Sequence, residues 1–127
     1  MAETRPALRA VDRLEVTILM DNSIDVFLPS TEEVRRTRLP SELLWGDGKA
    51  LVAEHGYSAL VSVHAADHSA TLLFDAGVST QGLIHNMDVM EVKPHDLHSI
   101  VLSHGHVDHT QGLMGMIKRV GKQDRKS

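Results

Sequence analysis

Between Ser103 and His109 the chain reads Ser-His-Gly-His-Val-Asp-His, with three imidazoles and one carboxylate among residues 104–109. The run follows the apolar stretch Ile100–Leu102 directly, so it falls where a short strand gives way to a loop. His104 and His106 stand two residues apart and project to the same side of extended backbone. Gly105 between them lets the main chain approach or turn without a Cβ clash. Asp108 and His109 are adjacent, cannot share a direction in a regular strand, and suit a loop entering a helix, where they address a second centre. Nitrogen and oxygen donors of this kind suit zinc, with iron or manganese as alternatives. The competing interpretation is a polar loop whose histidines bind nothing. Three histidines and an aspartate at this spacing, directly behind a β-run, favour the metal. The chain has no cysteine, which excludes disulfides, thiolate–zinc sites and thiol catalysis.

The rest of the chain supplies a scaffold for one site. Its 127 residues are enough for a single small domain. Thirteen basic against 17 acidic residues leave a net charge of −4, which argues against nucleic-acid binding. One Trp, one Tyr and two Phe cannot make a base-stacking platform, whereas nine histidines point to metal or acid/base chemistry. No apolar run is long enough for a secretory signal or a membrane span, so a cytoplasmic location is expected. Residues 1–13 are expected to be a flexible leader, 14–120 the folded part and 121–127 a basic tail. That tail is either a solvated helix end or an arm for phosphate, and helix C-termini favour cations in any case.

Leu14–Met20 predicts a buried strand, and Ile24–Leu28 is a second short apolar run. Ser30–Lys49 is expected to be a surface loop with one helical turn around Thr31–Arg36. Its Arg35, Arg36, Arg38 and Trp45 either form a wall over the site or belong to a solvated insertion. Ser58–His64 and Ala70–Phe74 predict a hairpin turning through residues 65–69. Leu83, Met87 and Met90 set a helical stripe over Ser79–Met90, which Pro94 is expected to break. After Gly112 a second helix carries Leu113, Met114, Met116, Ile117 and Val120. Met87, Met90, Met114 and Met116 are assigned to helix core. The order predicts a mixed α/β (α+β) arrangement. Asp21-Asn22, Asp75 and the histidine cluster each follow an apolar strand, which suggests one shared site at the strand ends.

These motifs resemble a known family. Ser103–His109 is similar to the HxHxDH signature of the metallo-β-lactamase fold superfamily, and Thr71–Gly77 (TLLFDAG) resembles its earlier FDxG element. Val16–Asn22, Ala53–Val61 and Leu102–Leu113 resemble a branch of pterin-linked, metal-dependent hydrolases. That branch includes synthases joining a pterin to a ribofuranosyl-aminobenzene phosphate. The resemblance covers residues 14–117, with Gln111 where a glycine is commoner. It implies that His104 and His106 bind a first metal and that Asp108 and His109 bind a second. It also implies two zinc ions in the complete domain, a small-molecule substrate, and Asp108 as the catalytic carboxylate. Asp75 would lie beneath the ligands, and Asp21, Asn22 and His55 would face the site. For His55 a hydrogen bond in the turn with Gly56 is an equal alternative. His64, His68, His85, His95 and His98 have no motif context and are expected at surface or satisfied core positions.

The superfamily domain is a four-layer αββα sandwich that adds further metal ligands from its second half. Beyond His109 the chain holds no histidine and one acid, Asp124. The expectation is therefore the N-terminal half of such a sandwich, as a truncated product, with a non-catalytic metal-binding remnant or a half-domain completed by a second chain as the alternatives. Either way one sheet face should be exposed and available for self- or partner-association.

Overall fold

The computed structural model describes residues 8–36 and 49–123. Four strands form one sheet in the order β1-β2-β3-β4: β1 (Arg13–Met20), β2 (Ser58–Ala65), β3 (His68–Phe74) and β4 (Ser99–Val101). β1 with β2 and β2 with β3 are antiparallel, while β3 and β4 run parallel. The hairpin between β2 and β3 turns through Ala66 and Asp67 alone, tighter than the five residues expected. β-branched and apolar residues favour these pleated positions. The register aligns Val16 with Val61 and Val61 with Leu72.

Alternation along the strands gives the two faces different fates. Leu19, Leu60 and Leu73 point to one face and are buried against Leu83, Met87 and Met116. Leu83 and Met87 come from α1 (Thr80–Val89), and Met116 comes from α3 (Leu113–Gln123). Each such side chain contributes about 1.5–3 kcal/mol on burial. The opposite face carries Leu14, Val16 and Ile18, which remain 58%, 56% and 44% exposed, a contiguous apolar stripe rather than scattered surface residues. This is a mixed α+β arrangement consistent with part of a larger sandwich.

Polar groups tie the layers together. Asn86 on α1 is buried, and its Nδ2 donates to the carbonyls of Leu19 and Val52 at 2.7 and 2.9 Å while its Oδ1 accepts from Val52 N. Ser79 caps α1 by accepting from Gly82 N at 3.0 Å and donates to the Glu54 carboxylate. The helix stops before Pro94 can act, because Glu91 takes φ 58° and closes its C-terminus. Pro94 instead begins a short 3-10 turn, Pro94–Asp96.

Several expectations need correction. Leu14–Met20 forms a strand that is buried only at Leu19 and Met20: among the described residues β1 is an edge of the sheet, and Leu14, Val16 and Ile18 stay exposed. Thr31–Arg36 is not helical, because Thr31 Oγ1 and Ser30 Oγ accept from Val34 N and Arg36 N and hold a turn of their own. Met114 and Ile117 lie on the outer side of α3, exposed, while Met116 takes the core position. β1 starts inside the expected leader at Arg13, and α3 runs through Gly121–Gln123 of the expected tail. Arg38 and Trp45, with most of the 30–49 loop, lie outside the described residues. Among the described residues no helix is long and apolar enough to cross a membrane.

Candidate metal centre

Topology brings four segments to one end of the sheet. β1 and β3 finish there, β2 begins there, and the parallel β4 delivers its C-terminus beside that of β3. The segment 55–57, the turn 75–77 and the run 102–112 are then laced by main-chain hydrogen bonds. Asp75 N donates to Val101 O at 2.9 Å, Ala76 N to His109 O at 2.7 Å, Gly77 N to Tyr57 O at 3.0 Å, and Tyr57 N to Asp108 O at 3.2 Å. Gly112 sits so close to the same turn that a Cβ there would run into the Ala76 carbonyl. Asp75 itself adopts φ 58°, a left-handed conformation that Asp tolerates better than most side chains.

The cluster is built over Asp75, whose side chain is 1% exposed. Its Oδ1 accepts from Ser103 N at 2.7 Å, and its Oδ2 accepts from Ser103 Oγ and His109 Nδ1, both at 2.7 Å. Burial works to raise the Asp75 pKa. The Ser103 main-chain and hydroxyl donors and the hydrogen bond and charge of His109 outweigh it and hold the carboxyl below its usual range.

Above this carboxylate the three imidazoles converge. The ring of His104 lies 4.5 Å from that of His106 and 4.3 Å from that of His109, centroid to centroid. His106 stands just before the single turn α2 (Val107–Thr110), which carries Asp108 and His109. Since His109 Nδ1 donates to Asp75, Nε2 is the nitrogen whose lone pair is left to bind an ion when the ring carries a single proton. That nitrogen faces Asp108 Oδ2 at 3.3 Å. Two acceptors at this distance repel unless a cation or a proton lies between them. Two ligands held at about 2.0–2.2 Å by one tetrahedral ion would stand about 3.4 Å apart, so the pair fits a divalent metal in both chemistry and spacing. A third donor completes no centre: among the described residues no three His, Asp or Glu side chains are grouped closely enough to hold an ion.

The sequence expectations separate here. His104, His106, Asp108, His109 and Asp75 come together. His55 is drawn toward them, its Nε2 3.7 Å from Asp108 Oδ2, and its side chain is 88% exposed rather than tied into the turn at Gly56. Asp21 and Asn22 lie at the same end of the sheet without hydrogen bonds or ion pairs to the histidines. The Asp21 carboxylate accepts from Asn22 N, its carbonyl accepts from Glu54 N, and it lines a cavity of about 350 Å³ along β1 that no residue of 104–109 borders. His64, His68, His85 and His98 are engaged by Glu15, Asp67, the Ala50 carbonyl and Thr71 N, away from the cluster. Ser103, which no sequence motif marks as functional, contacts both Asp75 and His104. Its position at the mouth of β4, immediately before the first histidine, was the only available signal.

A family model described as the metallo-beta-lactamase superfamily matches residues 53–126, more than half of the chain. This chain belongs to the metallo-β-lactamase superfamily. Members of that superfamily are generally dependent on divalent metal. Among curated relatives, a 7,8-dihydropterin-6-methyl-4-(beta-D-ribofuranosyl)-aminobenzene-5'-phosphate synthase of Methanocaldococcus jannaschii is 34% identical over 71 residues. The match takes in 56% of this chain and 24% of that protein. An uncharacterized protein of the same organism is 39% identical over 70 residues, 55% of this chain and 25% of the relative. The chain thus spans about a quarter of the length of the curated relatives it matches.

Proposed function

We propose that this chain carries the first ligand set of a dinuclear metal centre in a metal-dependent hydrolase of the pterin-linked branch. The observation that carries this reading is the pairing of His109 Nε2 with Asp108 Oδ2 at 3.3 Å, the spacing of two ligands on one shared ion. The similarity to the pterin synthase supports the branch. In this reading His104 and His106 hold one ion and Asp108 and His109 the other, with zinc the preferred metal. A bound pair of such ions supplies Lewis acidity and lowers the pKa of water toward about 7. The chain's own groups do the positioning: Asp75 orients His109, and Asp108 orients an attacking nucleophile or receives its proton. The substrate class is an ester or phosphoester, or an acidic pterin-pathway intermediate.

The apolar stripe of Leu14, Val16 and Ile18 favours one further reading, a half-domain completed by another polypeptide segment laid on that face. Two protein ligands per ion are fewer than the three of an ordinary catalytic zinc site. The expected outcome for this chain by itself is therefore weak zinc binding, lost on dialysis against a chelator, and no appreciable turnover of phosphodiester or ester substrates. Elemental analysis after dialysis checks the first point. Two tightly retained ions per chain would overturn the division of ligands proposed here, as would ordinary enzymatic turnover abolished by His104→Ala.

A further inference from the structure

We propose that Ser103 is a positioning residue: its hydroxyl relays the buried Asp75 carboxylate to His104, so that one carboxylate orients an imidazole at each of the two metal positions. The argument is a count of protons. Asp75 Oδ2 lies 2.7 Å from Ser103 Oγ and 2.7 Å from His109 Nδ1. A carboxylate only accepts, so both neighbours must donate to it. Its Oδ1 accepts from Ser103 N at 2.7 Å as well, so three donors surround the carboxylate. A serine hydroxyl has a single proton, and here it is committed to Asp75. Toward His104 Nδ1, 2.9 Å away, the same oxygen has only lone pairs to offer. His104 Nδ1 must therefore carry the ring proton and donate. The reverse arrangement, with the hydroxyl turned toward His104, would set an oxygen lone pair against a charged carboxylate at 2.7 Å in a buried site, where such repulsion is least screened.

The consequence is that His104 and His109 share one tautomer. Both carry hydrogen on Nδ1, and both leave Nε2 free to bind an ion. His109 is fixed directly by Asp75, and His104 is fixed through Ser103. The molecule holds its own contrast in His98, whose Nδ1 accepts from Thr71 N at 3.1 Å and whose ring proton must therefore sit on Nε2. Groups behind metal-binding histidines set tautomer and ring orientation, and their loss ordinarily weakens metal binding 10–100-fold. The metal-binding consequence rests on the proposed function above; the tautomer assignment does not.

The test uses the full chain with 15N-labelled histidine, freed of metal by chelator. Long-range 1H–15N correlation spectra are taken about two pH units above the ordinary imidazole pKa of about 6.5. The expected spectrum has His104 and His109 in the Nδ1–H form and His98 in the Nε2–H form. Ser103→Ala should release His104 into a tautomer mixture while His109 keeps its form, and Ser103→Thr, which retains the hydroxyl, should restore it. Zinc titration of the same three proteins should weaken at least 10-fold in Ser103→Ala and recover in Ser103→Thr. A wild-type His104 in the Nε2–H form overturns the relay, and that spectrum decides even if the alanine variant does not fold. An alanine variant with His104 still locked and zinc affinity unchanged also overturns it. If the tautomers respond as described but no protein binds zinc, the relay stands and the metal reading falls.

Discussion

Each end of the sheet carries a histidine against a carboxylate, and the two pairs are almost equally long. At the cluster end His109 Nδ1 meets Asp75 Oδ2 at 2.7 Å, and at the hairpin end His64 Nε2 meets Glu15 Oε2 at 2.9 Å. Their surroundings differ completely. Asp75 is 1% exposed and accepts three hydrogen bonds, whereas the side chains of His64 and Glu15 are 31% and 40% exposed and Glu15 also faces Arg13 at 3.1 Å. Distance alone therefore ranks the pairs as equals, and burial separates them. A buried carboxylate cannot exchange its partners for water, so its hydrogen bonds fix the conformation of everything around it. A surface pair can let go at little cost.

The sharpest way to break that contrast is to remove each acid in turn. Asp75→Ala should cost about 3 kcal/mol or more, because it strands the Ser103 donors and His109 in a closed site. Urea or thermal unfolding against wild type measures the loss, and a cost under about 1 kcal/mol would show that the cluster end is no more constrained than the hairpin. A smaller effect, about 1–3 kcal/mol, is expected for Gly112→Ala, whose new methyl meets the Ala76 carbonyl. Gly105→Ala is the matched control, since open space surrounds that position, and it should change stability by no more than about 1 kcal/mol.

The pH dependence sharpens the comparison further. The Asp75 pKa lies below its ordinary value of 3.8 in the folded chain, so its contribution is fully present above that value and is lost as pH falls through the lower folded value. The stability advantage of wild type over Asp75→Asn should therefore hold steady from neutral pH to about pH 5, then shrink below pH 4. An advantage unchanged down to pH 2 would contradict it. The smallest effect belongs to Glu15→Gln, with about 0–1 kcal/mol lost at low salt and less at high salt. Paired unfolding curves at two ionic strengths check this, and zinc binding should not respond to the change.

Much of the scaffold was legible because it is written in local pattern. The apolar run of β1, the β2–β3 hairpin and the Leu83–Met87 spacing each depend on neighbours in sequence. The donor cluster was legible for the same reason, since His104 to His109 are contiguous. The role of Ser103 was not, because it depends on Asp75, which lies 28 residues earlier and becomes a neighbour only when β3 and β4 align in parallel. The exposed face of β1 has a related cause. Its composition suits burial, but a buried face needs a partner, and composition does not say that β1 is an edge among the described strands. Met114 and Met116 were indistinguishable by residue type, and helix phase alone turns one outward.

The wiring of β1 has a kinetic corollary. β2 and β3 are joined by a two-residue turn, whereas β1 reaches its place beside β2 only after residues 21–57 have been looped out. Chain-closure entropy grows with the logarithm of loop length, and about four doublings separate the two connections, so closing the longer one costs about 2–3 kcal/mol more. The hairpin should therefore assemble early, with β1 docking as a late and readily reversed event. In native-state amide exchange the β1 residues Leu14, Val16 and Ile18 should open before the centre of β2 does. A chain caught in that open form exposes a second unpaired edge, on β2, next to an already uncovered apolar face. Whatever covers that face would thus also slow the opening of β1.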